Sequence, residues 1–323
     1  MKTTSAISKS DAGAALLLAL WALFLLSAMV IAWALNINSR LVSSSNANRV
    51  VEAEAMASSG AEIALNPIIQ PDSPNLHMKF KGGGSFDVRM TGECGRLNLN
   101  FLTQQEDPTK LAILRQYLSL KGVELNDLDV MMDSLLDWVS PNQGLHHLNA
   151  PEETDDYRPP HAPLTSVDEL KKVFGWAEFT SKPGWDEDFT VVATCGPIDL
   201  AWASRDVLRA LPGMGDDSVD RFLQLRRGPD GIDGTPDDFQ FTATAGTSVP
   251  PEVQAALGLN PQQFQQIQPL VQFRGPVLRI VSIGKSGDVT RSVEMVVQRQ
   301  LSLGGPVAAI SVGRPMVLSW KEL

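Results

Sequence analysis

Between Ala14 and Leu35 the chain reads AALLLALWALFLLSAMVIAWAL, without one formal charge. A helix drawn through it is apolar on every face, which suits lipid better than a soluble core. It would span roughly 33 Å at ~1.5 Å per residue, about one bilayer core. The polar stretch that follows, Asn36 to Leu65, has no Pro and no Gly before Gly60. One continuous helix of roughly 50 residues is therefore expected. A cleaved secretory signal would have a shorter apolar region, ~7–15 residues, and a small-x-small cleavage site. The reading is a retained membrane helix.

Beyond Pro67 and Pro71 the period changes. Leu76, Met78 and Phe80 alternate with polar residues, as do Phe86, Val88 and Met90 on the far side of Gly82-Gly83-Gly84. Period-two alternation around a glycine turn predicts a β-hairpin with one buried face. Strand patterns return at Val277 to Ile283, then a Gly284 to Gly287 turn, then Val289 to Val297, with Met316 to Trp320 as a last segment. From about Cys94 to Gly275 the spacing is helical: Leu111, Leu114, Leu118, then Val130, Leu135, Leu136, Val139. Ser166-Val-Asp-Glu169 starts a further helix as a capping box. The expected fold class is α+β, a long N-terminal helix plus a small antiparallel sheet, with a large all-α domain inserted between strands. The boundaries are 14–35 for the membrane helix, 36–93 for helix continuation and hairpin, 94–275 for the insert and 276–323 for the closing strands.

The insert contains a repeat. Cys94-Gly-Arg-Leu-Asn-Leu-Asn100 parallels Cys195-Gly-Pro-Ile-Asp-Leu-Ala201. Two copies are too few for a solenoid and suggest two related helical subunits, each beginning with the same turn.

Composition narrows the function. The 323 residues carry 27 Lys+Arg against 37 Asp+Glu, a net charge of −10, which disfavours non-specific nucleic-acid binding. The 43% apolar content supports a folded core. Two Cys cannot build a disulfide-dense scaffold or a four-thiolate zinc site. Lys2 and Lys9 precede the span, so the positive-inside rule leaves the short N-terminus in the cytoplasm and the bulk of the chain across the membrane. Cys94 and Cys195 then face an oxidising compartment and open equivalent positions of the repeat, and a disulfide between them is expected. No G-x-S-x-G, no H-E-x-x-H and no phosphate loop at Gly82-Gly83-Gly84 is present, so no enzyme is expected. His146-His147 is read as part of a surface loop.

A short polar leader, Lys2 to Ala12, ends in Gly13, and the apolar run starts at once at Ala14. This resembles a type IV prepilin leader, which implies cleavage by a prepilin peptidase between Gly13 and Ala14 and N-methylation of Ala14. Cleavage removes 1–13 and makes the net charge one unit more negative. Most pilins and pseudopilins carry Glu at the fifth mature position, whereas Leu18 stands here. A subunit lacking that Glu suits a filament end, where no neighbour's terminal amine needs neutralising.

Further along, Leu136-Asp-Trp-Val139, Pro163-Leu-Thr-Ser-Val-Asp-Glu-Leu170, Asp206-Val-Leu-Arg-Ala-Leu-Pro-Gly213 and Val317-Leu-Ser-Trp-Lys321 resemble segments of the K-type minor pseudopilins of type II secretion, the GspK family. The resemblance follows essentially the whole chain in order. Ala201-Trp-Ala203 departs from that family's N-T-A, and Ser140 and Asn142 replace common acidic residues. It implies a pilin-like helix and sheet with a SAM or helix-hairpin-helix-like insert. It also implies a single-pass protein of the bacterial inner membrane with a periplasmic domain. The function implied is capping the tip of the periplasmic pseudopilus and supporting export of folded proteins. Partners would be I- and J-type minor pseudopilins, the major pseudopilin and, as substrates, exoproteins.

Two alternatives stand beside it. Leu211-Pro-Gly-Met-Gly215 also matches a helix-hairpin-helix DNA binder, but Asp216, Asp217 and Asp220 follow where Lys or Arg would meet phosphate. An unrelated membrane-anchored periplasmic binding module is the other. The sharpest ligand candidate is Asp230, Asp233, Asp237 and Asp238, carboxylates spaced by glycine turns that can converge on calcium. The resemblance to K-type pseudopilins points the same way. A solvated acidic turn would have the same composition.

Overall fold

A computed structural model describes residues 9–71, 73–141, 146–235, 237–239, 241, 249–299, 301–302, 311–312 and 315–322. Lys2 and the rest of 1–8, and Asn142, lie outside them. Helix α1 runs unbroken from Lys9 to Ala64, 56 residues, and includes Gly13 and Ala14. Its Gly13–Ile37 stretch is long and apolar enough to cross a membrane, and none of it is buried within the protein.

The second half of α1 behaves differently. Ala53, Ala57, Gly60, Ala61 and Ala64 are buried at intervals of three and four, a stripe of the smallest side chains down one face. That stripe lies on an antiparallel sheet. Strand β1 is His77–Lys79 and β2 is Gly84–Gly92, joined through the Gly82-Gly83 turn. Phe86, Val88 and Met90 are buried as the alternation requires, whereas Met78 and Phe80 stay partly exposed because the short β1 is the sheet edge.

After β2 the chain leaves the sheet and returns to it only at Val277. In between lie β3 (Leu97–Asn98), α2 (Leu99–Thr103), α3 (Pro108–Leu120), α4 (Leu125–Val139), α5 (Ala177–Thr180) and β4 (Phe189–Thr190). A second group follows: β5 (Ile198–Asp199), α6 (Arg205–Ala210), α7 (Asp216–Arg226), α8 (Pro251–Leu257), α9 (Pro261–Ile267) and β6 (Val271–Gln272). The Ser166–Glu169 capping box forms, but it starts a 3₁₀ turn, Val167–Lys172, rather than a full helix. The insert is therefore helical with two short parallel strand pairs, β3–β4 and β5–β6, where the pattern alone reads as all-α. Two-residue strands are too short to leave a period in the sequence.

Strands β7 (Val277–Ser286) and β8 (Val289–Gln298) form a tight hairpin through Gly287 at φ +56°. A short pair, β9 (Leu301–Ser302) and β10 (Ser311–Val312), precedes β11 (Met316–Glu322), which pairs with β8. The sheet order is β1-β2-β7-β8-β11. Gly284, expected in a turn, lies inside β7 instead. The reason is the helix: a Cβ on Gly284 would sit 2.1 Å from the Ala53 carbonyl oxygen and 2.3 Å from the Ala57 nitrogen. Gly60 is the reciprocal position, where a Cβ would meet Ser282 Oγ at 2.4 Å.

These contacts orient the molecule. Progress along α1 from Ala53 to Gly60 matches movement down β7 from Gly284 to Ser282. The insert is spliced at Gly92 and Val277, further along in the same direction. It therefore roots at the end of the sheet away from the apolar span.

Gly284→Val in the detergent-solubilised chain should lower stability by about 3 kcal/mol or more, because backbone atoms of α1 cannot yield to the new side chain. Gly82→Ala, where a Cβ meets nothing within 4 Å, should stay within about 0.5 kcal/mol. Urea unfolding midpoints compare the two.

Candidate functional site

The insert is fastened to the sheet face opposite α1. Alternation along β7 and β8 puts Leu278, Ile280, Val293, Met295 and Val297 against the helix and leaves Val277, Arg279, Glu294 and Val296 on the back. Cys94 and Cys195 are joined by a disulfide and pack on Val277 and Val296. Beside them Glu93 is fully buried, and its carboxylate accepts from Arg279 Nε at 2.6 Å and Nη2 at 2.9 Å and from Thr190 Oγ1 at 2.5 Å. Arg279 Nη1 also donates to Glu294 at 2.8 Å. Burial disfavours the Arg279 charge, but the hydrogen bonds to Glu93 and the two carboxylate charges outweigh it and raise its pKa.

The repeat turns close two units in the same way. In the first, Leu97 and Asn98 pair in parallel with Phe189 and Thr190; in the second, Ile198 and Asp199 pair with Val271 and Gln272. Each unit thus binds its first strand to its last, and the disulfide ties together the starts of both units. The polar residue at the shared position differs for a chemical reason. Asn98 donates through Nδ2 to the carbonyls of Val192, at 2.7 Å, and Cys195, while its Oδ1 accepts from Phe101 N at 3.2 Å. Asp199 faces backbone donors and accepts from the N–H groups of Ala201, Arg274 and Gly275 at 3.0, 2.8 and 2.6 Å. An amide serves carbonyls, and a carboxylate serves N–H groups. Burial pushes the Asp199 carboxyl up, against the pull of these three donors.

The acidic loop follows α7. Gly228, Gly231 and Gly234 hold φ of +60°, +71° and +90°, which lets it turn back on itself. Asp233 is taken by arginines: Arg226 Nε and Nη2 reach its two oxygens at 2.7 and 2.8 Å, and Arg227 Nε adds 2.9 Å. Arg226, buried, also donates to the carbonyls of Leu200 and Ala203, tying the loop to the second repeat turn. Asp230 Oδ1 accepts from Ile232 N at 2.8 Å, whereas Asp237 and Asp238 meet at Thr235. Its one hydroxyl proton faces Ile232 O at 3.1 Å, Asp237 Oδ1 at 2.7 Å and Asp238 Oδ1 at 3.3 Å. Asp237 is also held by Asp230 N at 3.1 Å, and its carboxyl is lowered by the Thr235 hydroxyl and that amide. Asp238 is raised by burial and by the charges of Asp233 and Asp230.

Among the described residues no three His, Cys, Asp or Glu side chains are arranged as a ready metal cage. Asp237, Asp238, Thr235 and the Ile232 carbonyl are oxygen donors, the type a hard cation takes, and Asp238 Oδ2 also accepts from Gly234 N at 2.8 Å. A cavity of about 510 Å³ separates this loop from the sheet end, walled by Pro71, Trp202, Phe273 and Arg299 among others.

The hairpin Leu211–Gly215 joins α6 to α7, with Gly213 at φ +77°. Its neighbouring arginines are engaged by aspartates: Arg205 binds Asp220 at 2.7 Å and Asp216 at 2.6 Å, and Arg209 binds Asp216 at 2.9 Å. Carboxylates rather than a phosphate meet the start of α7.

No family model matches the chain, and no curated protein resembles it in sequence. Solved structures do resemble it. One is a chain from the crystal structure of the GspK-GspI-GspJ complex of the enterotoxigenic Escherichia coli type 2 secretion system, at TM-score 0.54 and 13% identity. The match covers 89% of this chain and 99% of that one, so it takes in sheet and insert together. The chain shares its fold with a GspK-like component of that complex.

Within this GspK-like fold, several residues that matter leave no sequence signal. Glu93 and Arg279 are 186 positions apart and meet only because β2 and β7 pair. Trp202, the departure within Ala201-Trp-Ala203, presses on the splice point; a Cβ on Gly92 would lie 2.1 Å from its ring, and one on Gly95 would lie 2.6 Å from its backbone carbonyl carbon. His146 and His147 do not simply lie in solvent, for both rings reach Asp137.

Replacing both Cys94 and Cys195 with Ser should lower stability by up to about 4.7 kcal/mol, the chain-entropy value for a loop of ~100 residues. Denaturation of wild type with and without reductant should reproduce the difference, with helix content unchanged before the transition.

Proposed function

We propose that this chain is a minor pseudopilin of a type II secretion system that caps the tip of the periplasmic pseudopilus and supports export of folded proteins. The observation that carries this reading is the root of the insert. A domain spliced in at Gly92 and Val277, at the sheet end away from the membrane span, would obstruct a further subunit from stacking above. The lack of a carboxylate at Leu18 fits the same end position, since no later subunit offers an amine to neutralise.

In this account a prepilin peptidase cuts between Gly13 and Ala14, and Ala14 is methylated. The apolar span then holds the protein in the inner membrane with residues after about 36 in the periplasm. There α1 packs beside the helices of I- and J-type partners and the major pseudopilin. The GspK-GspI-GspJ complex supports the first two partners by likeness of fold. The role is assembly, with folded exoproteins as the cargo moved.

Calcium belongs to the proposal as a structural ligand. Asp230, Asp237 and Asp238 would hold it, with Thr235 Oγ1 and the Ile232 carbonyl as neutral oxygens. Asp233 would steady the loop through Arg226 and Arg227 instead of ligating. The ion would supply the positive charge that the crowded acceptors lack.

Mass spectrometry of purified pseudopili should find methyl-Ala14 as the N-terminus and far fewer copies than of the major subunit. An intact Met1 leader, or comparable stoichiometry, contradicts the reading. Calcium at a hundredfold excess over its Kd should stabilise the full chain by about 2.7 kcal/mol. Asp237→Asn with Asp238→Asn should remove that gain, measured as the calcium-dependent rise in Tm. Asp233→Asn should lower Tm by a similar amount with or without calcium.

A further inference from the structure

Three of the four histidines fall between positions 146 and 161. The described part of this segment lies along α4 and is tied to it at successive points. Asn149 donates from its backbone and side chain to Asp133 at 3.0 and 2.8 Å, and Ala162 N donates to Trp138 O at 3.3 Å. His161 places Nδ1 3.2 Å from Ser140 O and Nε2 2.8 Å from Glu153.

The strongest tie is at Asp137, a buried carboxylate in the last turn of α4. It receives His146 Nδ1 at 2.8 Å, the backbone N–H of His147 at 3.0 Å, and His147 Nδ1. The other ring nitrogen of His147 is 3.3 Å from Glu106 Oε2, on the far side of the ring. A neutral imidazole has one N–H and one lone pair, and can satisfy only one of two carboxylates. The lone pair would then face the second carboxylate. Only the imidazolium, with a proton on each nitrogen, suits both. His146, half exposed, has one carboxylate contact among the described residues, Nδ1 to Asp137.

We infer that the 146–162 segment is clasped to α4 by a proton: His147 docks as an imidazolium between Asp137 and Glu106, and deprotonation loosens the segment. This stands apart from the pseudopilin reading. The charged groups facing the ring are Asp137 from α4 and Glu106 from the turn after α2; His146 shares Asp137 with it, and Tyr157 lies near enough to feel the Asp137 charge. Burial opposes the charge on His147, but its bonds to the two carboxylates prevail and raise its pKa above the ordinary value.

The sign follows from that direction. The docked pKa exceeds the undocked one, so the clasp is complete below the undocked value, near 6.5. It weakens as pH rises from there and is lost above the docked value. A domain exposed to the external medium would hold this segment more firmly in acid.

The test uses the full chain in lipid nanodiscs. Histidine-selective ¹⁵N NMR over a pH series should show the His147 ring losing its second proton at higher pH than in the urea-unfolded chain. Amide exchange at His147, Asn149 and Ala162, corrected for intrinsic base catalysis, should report an opening constant that rises about tenfold per pH unit across the His147 titration. His147→Gln should make opening independent of pH, while His146→Gln should leave the dependence in place. Should His147→Gln not fold, Glu106→Gln serves, and it should move the His147 titration to lower pH. A His147 that titrates no higher than in the unfolded chain, or opening unchanged while His147 titrates, overturns the proposal.

Discussion

The contact between the Ala–Gly face of α1 and β7 is the constraint from which the rest of the molecule follows. Backbone meets backbone there, with Gly284 against Ala53 and Ala57 and Gly60 against Ser282. Side chains this small release little free energy individually. Their value is that they allow only one depth and register for the helix on the sheet. Because α1 is continuous with the apolar span, that register also sets which end of the sheet points away from that span. The splice sites at Gly92 and Val277 occupy that end, so the insert inherits its position from a seam of residues outside it.

The opposite face of the sheet shows a second logic. A fully buried Glu93 bound to Arg279 is a poor means of adding stability, because desolvation of both charges offsets much of their attraction. It is an effective means of excluding alternatives, since any other docking of the insert would strand a buried charge. The disulfide acts alongside it by limiting the unfolded chain. Asn98 and Asp199 then adapt one turn to two surroundings, carbonyl acceptors in the first unit and amide donors in the second. The acidic loop joins this framework through Arg226, which spans Asp233 and the carbonyls of the second turn.

Much of this is legible in the residues. The apolar run, the hairpins at Gly82-Gly83 and Gly287, the helical spacing of 111–139 and the capping box at Ser166 all depend on neighbours a few positions apart, and periodicity reports such neighbours well. The repeat shows that Cys94 and Cys195 hold equivalent places, and the structure joins them. Gly284 reads as a turn in the sequence because a glycine needed for close approach looks the same there as one needed for positive φ. The parallel pairs β3–β4 and β5–β6 leave no trace because each partner is two residues long and more than 70 positions distant. The acidic loop is visible as four equivalent aspartates; that Asp233 turns to Arg226 and Arg227 while Asp237 and Asp238 meet at Thr235 is not.

By itself, the sequence determined the membrane-compatible helix, the alternation that makes strands two-faced, the insertion of one unit into another and the resemblance to K-type pseudopilins. These rest on local pattern, which a chain carries wherever it goes. Tertiary structure alone decided which carboxylate meets which nitrogen: Glu93 with Arg279, Asp233 with Arg226, Asp137 with His146 and His147. Charges of one type are interchangeable in a sequence. They become distinct only when packing gives each a different burial and a different set of donors within reach.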